Sequence, residues 1–404
     1  MGAESWATGT DGAMKEPRFV SDLGLTAEGG PVKLVSRWEL TSTGSSNALT
    51  NMENYVAWGP DGFRFAAGYQ IFAWGVADGR NPTDNLNPKD YTQIQGPKVH
   101  KLPVLGLDAI WYPTEEISVE TVYLPHPGTS LFPSDPTAEL ATSVNPYGMT
   151  VTTKDLDSGL NNGVYGAKAN YRSSEADVSV SYLEDFDPLG TPFLDGTAYT
   201  VERKRLHRFG ADFKTAFEGY GLWAEAAYSL GGNSDPSSTT ERLSRFDYTL
   251  GGDTTWGPGG DYYVNLQYTG TWVPGYGSPK ATDAKYLLYS FGGITEELLQ
   301  GITWNAKWNL ASGAITPSFS GAFQKPFGYD DSSKTRLGNL MLKPELDIMP
   351  IDSFHIALGS TLAYAWVKSN GNIYLDTTDS VGVYTPSNSV YLNVTYKWNY
   401  SLTK

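Results

Sequence analysis

From Phe354 to Trp366 the residues alternate. Phe354, Ile356, Leu358, Leu362, Tyr364 and Trp366 fall on one parity with Ser360, and His355, Ala357, Gly359, Thr361, Ala363 and Ala365 on the other. A period of two is that of a β-strand, whose successive side chains point to opposite faces. The pattern recurs along the chain. Val32, Leu34, Trp38 and Leu40 oppose Lys33, Arg37 and Glu39; Phe63, Phe65, Ala67, Tyr69 and Ile71 oppose Arg64 and Gln70. Further on, Phe209, Ala211, Phe213 and Phe217 oppose Arg208, Asp212 and Lys214, and Leu222, Tyr228 and Leu230 oppose Trp223 and Glu225. No segment is left over to cover so many large apolar faces. They are therefore expected to meet lipid, which predicts an all-β, transmembrane, antiparallel up-and-down barrel.

The connections support that expectation. Short turns, such as Pro60-Asp61-Gly62, Glu218-Gly219 and Pro258-Gly259-Gly260, alternate with long polar stretches near 42–50, 75–98, 125–161, 187–199, 231–241, 274–295, 325–335 and 368–388. Short turns at one membrane face and long loops at the other are the outer-membrane arrangement. Single-chain bacterial barrels have an even strand number, so about 18 strands are expected, or 16 if Arg18–Thr26 is not one. Trp38, Trp58, Trp111, Trp256, Trp272, Trp366 and Trp398 lie near predicted strand ends, where amphipathic rings favour the headgroup boundary.

Composition narrows this picture. The 404 residues show no compositional break, so residues 1–404 are read as one barrel domain. Only 40% of residues are hydrophobic, which excludes a helical membrane protein but suits a barrel that is apolar on alternate residues. The absence of cysteine removes disulfides and thiolate chemistry, and a net charge of −15 argues against nucleic acid as a partner. Met1-Gly2-Ala3-Glu4-Ser5 has neither the basic nor the apolar part of an export leader, so a bacterial outer-membrane location implies its removal.

With the large faces assigned to lipid, the opposite faces line the interior. Basic pore-lining candidates are Lys33, Arg37, Arg64, Lys168, Arg172, Arg208, Lys214, Arg245, Lys307, Lys343 and Lys397; acidic ones are Glu39, Asp212, Glu225, Asp247, Glu345 and Asp347. The basic set is the larger, which predicts a lumen that favours anions. Pairing of these charges across strands is an equally good reading. Arg203, Arg205 and His207 would fall on the lipid face. Their stretch is therefore expected to project beyond the hydrocarbon, as a solvated extension or against lipopolysaccharide phosphates.

One loop differs from the rest. Trp74-Gly75-Val76-Ala77-Asp78 leads into Asn81-Pro82-Thr83-Asp84 and Asn87-Pro88-Lys89-Asp90, two Asn-Pro-x-Asp units. Asn before Pro starts a turn, and the Asp is expected to cap it, giving a stiff loop able to fold into the lumen. Trp74, Asp78, Asn81, Asp84, Asn87 and Asp90 are the constriction candidates within a loop 75–98. Asp78, Asp84 and Asp90 also offer oxygen ligands for Ca²⁺, but the spacing matches no EF-hand, and structural capping is the better reading. No cofactor is expected. This loop, with Leu298-Leu299-Gln300-Gly301-Ile302-Thr303 and the strand containing Lys343-Pro344-Glu345, resembles a little-characterised family of porin-like Gram-negative outer-membrane barrels. That resemblance implies small-molecule or lipid export and carries no particular substrate.

Tyr396-Lys397-Trp398-Asn399-Tyr400 resembles the signal read by the barrel-assembly machinery, although four further residues follow it. An enzyme is not expected. There are four histidines, no Gly-x-Ser-x-Gly elbow and no His-Glu-x-x-His helix. His355 and Ser353 share a strand face but lack an orienting acid on it. The sequence thus favours a porin for small polar solutes in a membrane of lipid and lipopolysaccharide. A transporter of lipids or hydrophobic compounds and a surface adhesin are the alternatives, with the oligomeric state left open.

Overall fold

A computed structural model describes residues 2–8, 18–43, 45–90, 100–131, 150–154, 156, 159–186, 191–195, 198–231, 243–276, 296–327, 334–375 and 388–396. Eighteen strands build the wall. They are β1 (Gly2–Thr8), β2 (Arg18–Gly29), β3 (Val32–Ser42), β4 (Asn47–Trp58), β5 (Phe63–Gln70), β6 (Val104–Trp111), β7 (Ile117–Leu124), β8 (Val164–Arg172) and β9 (Ala176–Phe186). The second half is β10 (Arg205–Phe217), β11 (Tyr220–Leu230), β12 (Arg245–Trp256), β13 (Tyr262–Trp272), β14 (Leu298–Trp308), β15 (Ile315–Phe327), β16 (Lys334–Ile351), β17 (Phe354–Ser369) and β18 (Ser389–Tyr396).

Each strand pairs antiparallel with the next in sequence, as β10 does with β11 from His207↔Leu230 to Phe217↔Tyr220. β1 pairs with β2 on one edge and with β18 on the other, from Gly2↔Thr395 to Thr8↔Ser389. The pairing is therefore cyclic, which leaves no open edge in a solvent unable to satisfy one. Arg18–Thr26 lies within β2, which settles the count at 18 rather than 16.

The burial pattern is inverted relative to a soluble sheet. On β13, Leu266 is 54% exposed while its neighbour Gln267 is 2% exposed. On β11, Leu222, Tyr228 and Leu230 are exposed, and Trp223, Glu225, Ala227 and Ser229 are buried. A continuous belt of this kind is stable only against hydrocarbon. Trp58, Trp111 and Trp256 end β4, β6 and β12 at the short-turn rim, and Trp272 ends β13 at the opposite rim. Trp58 stacks on Phe65 at 5.7 Å and Trp256 on Tyr262 at 5.6 Å, as rings of an interfacial girdle would.

The turns follow residue chemistry. Glu218-Gly219 joins β10 to β11 with φ of 49° and 85°, the doubly left-handed geometry that matches strand twist. The long connections are not featureless. Thr150–Lys154 pairs in parallel with Ala198–Glu202, which pairs antiparallel with Thr191–Asp195. The plain polar loops expected over 125–161 and 187–199 thus carry a small sheet of their own, whose five-residue strands are too short for alternation to announce.

Candidate functional site

Residues 71–90 leave β5 and run across the barrel interior. Their first anchor is apolar. Phe72, Trp74 and Leu86 pack with Val104, Val122, Leu124, Val164, Leu183 and Phe186 from the inner faces of β6 to β9. Each such buried side chain contributes about 2 kcal/mol. The Trp74 indole N–H donates to Glu120 Oε1 at 3.0 Å. Its ring lies over Gly166, where a Cβ would come within 2.8 Å of it. One sector of the interior is therefore a packed core rather than open space.

The second anchor is polar and lies on the far wall. The amides of Val76 and Ala77 donate to Glu225 Oε1, the latter at 2.6 Å. The amide and hydroxyl of Thr83 donate to Glu225 Oε2 at 3.4 and 3.2 Å. Asp78 Oδ2 accepts from Asn265 Nδ2 at 2.7 Å. Arg80 binds Asp247 at 2.9 Å and the Thr271 hydroxyl, and its carbonyl accepts from Thr249 Oγ1 at 2.9 Å. Gly79 lies beside Thr303 of β14, where a Cβ would sit 2.8 Å from Oγ1. In a ring of 18 strands, β14 is the strand opposite β5, so this segment crosses the whole interior.

The turn chemistry differs from the expected one. Asn81 Oδ1, not an aspartate, caps the turn by accepting from the Asp84 amide at 3.1 Å. Asp84 instead binds Lys101 at 2.5 Å, and Lys101 also donates to the Phe72 carbonyl at 2.7 Å. Asn87 clamps the loop base: its Nδ2 donates to the carbonyls of Gln70 and Leu102, and its Oδ1 accepts from the Phe72 amide at 2.7 Å. Asp90 lies opposite His100 in a two-residue ladder. Asp78 and Asp84 thus have separate partners. Among the described residues no group of three or more acids or histidines converges on a metal position. Residues 91–98 of the expected loop lie outside the described residues.

Five of the wall cations pair with a carboxylate. Lys33 binds Glu28 at 2.7 Å at the short-turn rim, Arg37 binds Glu53 at 2.9 Å, and Arg64 binds Asp108. Lys168 binds Asp212 at 3.2 Å and Arg245 binds Asp247 at 2.6 Å. Arg208 is buried, while Arg172 and Lys214 are exposed near the short turns. Glu345 accepts from the Tyr391 hydroxyl at 2.8 Å, and His355 faces Asp347 at 3.4 Å. Lys397 lies outside the described residues. The sequence tally missed Glu53, Asp108, Glu120 and Asp253, which lie on inner faces of β4, β6, β7 and β12. The interior is therefore less one-sided in charge than that tally implies. Alternation around Asp108 and Glu120 would have found them; Glu53 is obscured by a bulge between Arg37 and Trp38.

Arg203 and Arg205 are also engaged by protein. Arg205 binds Glu184 at 2.6 Å and the Asn161 carbonyl at 2.5 Å, with its guanidinium 4.5 Å from the Phe186 ring centre. Arg203 donates to the Gly128 carbonyl at 2.8 Å. His207 meets the Tyr182 hydroxyl at 2.9 Å. Beyond the membrane, Glu202 lies between Lys154 at 3.0 Å and Lys204 at 2.9 Å; the Lys204 ammonium, aided by Lys154, holds its carboxyl below the ordinary glutamate range.

Beside the loop, on the sector away from the packed core, lies a cavity of about 770 Å³. Asp78 and Gly79 bound it on one side. The wall contributes Tyr263, Asn265, Gln267, Thr303, Asn305, Lys307, Ser320 and Lys343 from β13 to β16. The lining mixes hydrogen-bonding side chains with Trp304, Gly321, Ala322 and Met341, and it carries two lysines and one loop aspartate. The cavity's size and its hydrogen-bonding groups suit a small polar solute.

Fold and site together define a membrane-spanning β-barrel whose interior is divided by an inward loop. No protein-family pattern matches this chain, and no curated protein matches it. Solved structures do. OccK2 (OpdF) of Pseudomonas aeruginosa, solved in complex with glucuronate, is similar with a TM-score of 0.57 at 9% identity, over 98% of this chain and 95% of that one. OccD3 (OpdP) of the same organism gives 0.55 at 9% identity, over 98% and 89%. Pseudomonas aeruginosa OpdK, solved with vanillate, gives 0.54 at 9% identity, over 98% and 96%. At such identities the likeness is one of fold.

Proposed function

We propose that this protein is an outer-membrane channel for small polar solutes, built as one barrel unit with residues 75–90 as its constriction. The observation that carries this reading is the cavity, lined in part by hydrogen-bonding and charged side chains, between Asp78–Gly79 and the inner faces of β13 to β16. A barrel of 18 strands is wide enough for an aqueous channel, and a loop that fills one sector narrows the passage without removing it. The similar OccK and OccD structures are of outer-membrane channels, and two of them were solved with small carboxylates. Anion preference rests here on Lys307 and Lys343, which outnumber Asp78 at the cavity. The Trp74–Asp90 segment is the feature this reading shares with the porin-like Gram-negative family that the sequence resembles. Lipid and lipopolysaccharide around the belt, and the barrel-assembly machinery acting on the C-terminal strand, complete the expected partners. The two lysines and the hydrogen-bonding groups on the lining favour a polar solute over a lipid or hydrophobic compound as cargo.

Single-channel recording in planar bilayers tests the proposal. Steady conductance steps are expected, with a reversal potential in a salt gradient that favours anions. Lys307→Glu with Lys343→Glu should shift that potential toward cations. A purified, correctly folded barrel that never conducts would refute the channel reading; cation preference in the unaltered protein would refute the role given to the lysines.

A further inference from the structure

The inward loop has two anchors of different chemistry. The apolar one, Phe72, Trp74 and Leu86 against β6 to β9, lies at the two roots of the tip. The polar one is on β11 and meets both legs of the tip at a single side chain. Glu225 Oε1 takes the amides of Val76 and Ala77 on the outgoing leg, and Oε2 takes the amide and hydroxyl of Thr83 on the returning leg. A carboxylate has about four lone-pair sites, so these donors saturate it. Asp78 and Arg80 bind the far wall through the outgoing leg and the crown of the tip. Gly75 makes the tip compact: it has a φ of 93°, and a Cβ there would overlap Asn81 and Thr83.

We propose that Glu225 is the positioning residue that sets the aperture: it ties both legs of the tip Val76–Thr83 to the wall, and without it the tip, left to the Asp78 and Arg80 contacts of its outgoing leg and crown, shifts on its apolar root and widens the passage. This rests on the channel reading for its consequence, but not for the contact itself. Glu225→Ala removes all four acceptor contacts. Glu225→Gln keeps an oxygen for Val76 and Ala77 but turns an amide NH₂ toward Thr83, whose backbone N–H then loses its acceptor while the hydroxyl can accept from the NH₂, so that leg is weakened. Glu225→Asp keeps both oxygens on a shorter stem.

The test uses the full-length barrel, which has no native cysteine. Single-channel conductance is expected to rise about twofold in Glu225→Ala and by less in Glu225→Gln, as a wider constriction passes more ions. An Ala77→Cys reporter should react faster with a membrane-impermeant thiol reagent when Glu225→Ala is added. This readout needs no conduction, so a silent channel would refute the function and still test the tie. A disulfide between Gly79→Cys and Thr303→Cys should return the Glu225→Ala channel to the unaltered conductance when oxidised and release it when reduced. The geometry allows that bridge, because a Cβ on Gly79 approaches Thr303 to 2.8 Å and otherwise meets the movable end of Gln267. Unchanged conductance and unchanged thiol reactivity in Glu225→Ala would overturn the proposal. So would conductance that stays raised despite the closed disulfide.

Discussion

Asp212 and Glu225 stand directly opposite one another on β10 and β11, two buried carboxylates side by side on the inner wall. Like charges in direct register destabilise a sheet pair. Here each is compensated from a different direction. Asp212 takes Lys168 and the Ser179 hydroxyl from neighbouring strands, and Glu225 takes donors from the loop. A wall that presents a buried acid with no wall cation bound to it favours the loop being folded in, because the loop amides are what satisfy it.

Removing Lys168 exposes the other half of that arrangement. Lys168→Met should destabilise the barrel by about 3–5 kcal/mol, because it leaves Asp212 charged, buried and opposite a second carboxylate. Adding Asp212→Asn should recover much of the loss. Thermal unfolding of the four proteins of this double-mutant cycle, followed by circular dichroism in detergent, measures the coupling.

Trp74 fastens the root of the loop. Trp74→Ala should cost about 3–5 kcal/mol through the cavity left among Leu124, Val164 and Leu183, with Glu120 losing its indole donor as well. Trp74→Phe should cost less while still losing the hydrogen bond. Denaturant unfolding distinguishes packing from the polar contact, since a pure hydrogen-bond effect would make the two variants equal.

The outer belt should tolerate no charge. Leu266→Arg, near the middle of β13, should cost about 2–4 kcal/mol and reduce folding into lipid vesicles. Lys307→Arg, on the inner face next to the last residue of β14, should fold normally. The heat-dependent shift of a folded barrel on electrophoresis reads the yield of each.

Outside the membrane, Glu202 makes the small sheet of the long connections sensitive to acid. Its carboxyl is lowered below the usual glutamate value, with the Lys204 contact as the largest cause and the Lys154 contact adding to it; burial opposes both. A group held low in the folded state contributes stability above its unfolded value, about 4.3, and loses it as pH falls through the folded value. Protection of the 150–154 and 198–202 amides against hydrogen exchange should therefore be constant near neutrality and fall only below about pH 4. Glu202→Gln should remove that dependence.

The alternation of Leu222, Tyr228 and Leu230 against Trp223 and Glu225 made the barrel and its two faces readable, because a period of two is a property of the chain itself and needs no distant partner. The Asn-Pro units marked the unusual loop for the same local reason. Its capping was misassigned: Asn and Asp can both close such a turn, and Lys101 waiting for Asp84 is a tertiary fact. The interior charge balance was also misread. Asp108 and Glu120 were legible in the alternation of β6 and β7 but were left out of the tally, whereas a bulge disguises Glu53.

The amino-acid order alone determined that this chain is a ribbon of amphipathic strands, which side of each meets hydrocarbon, and the number of crossings to within two. Only tertiary structure decided what occupies the interior. Glu225 and Val76 are 149 residues apart, and Asn265 and Asp78 are 187 apart. Contacts across such separations leave no periodic trace, since they depend on ring closure carrying β11 and β13 round to face the loop that leaves β5.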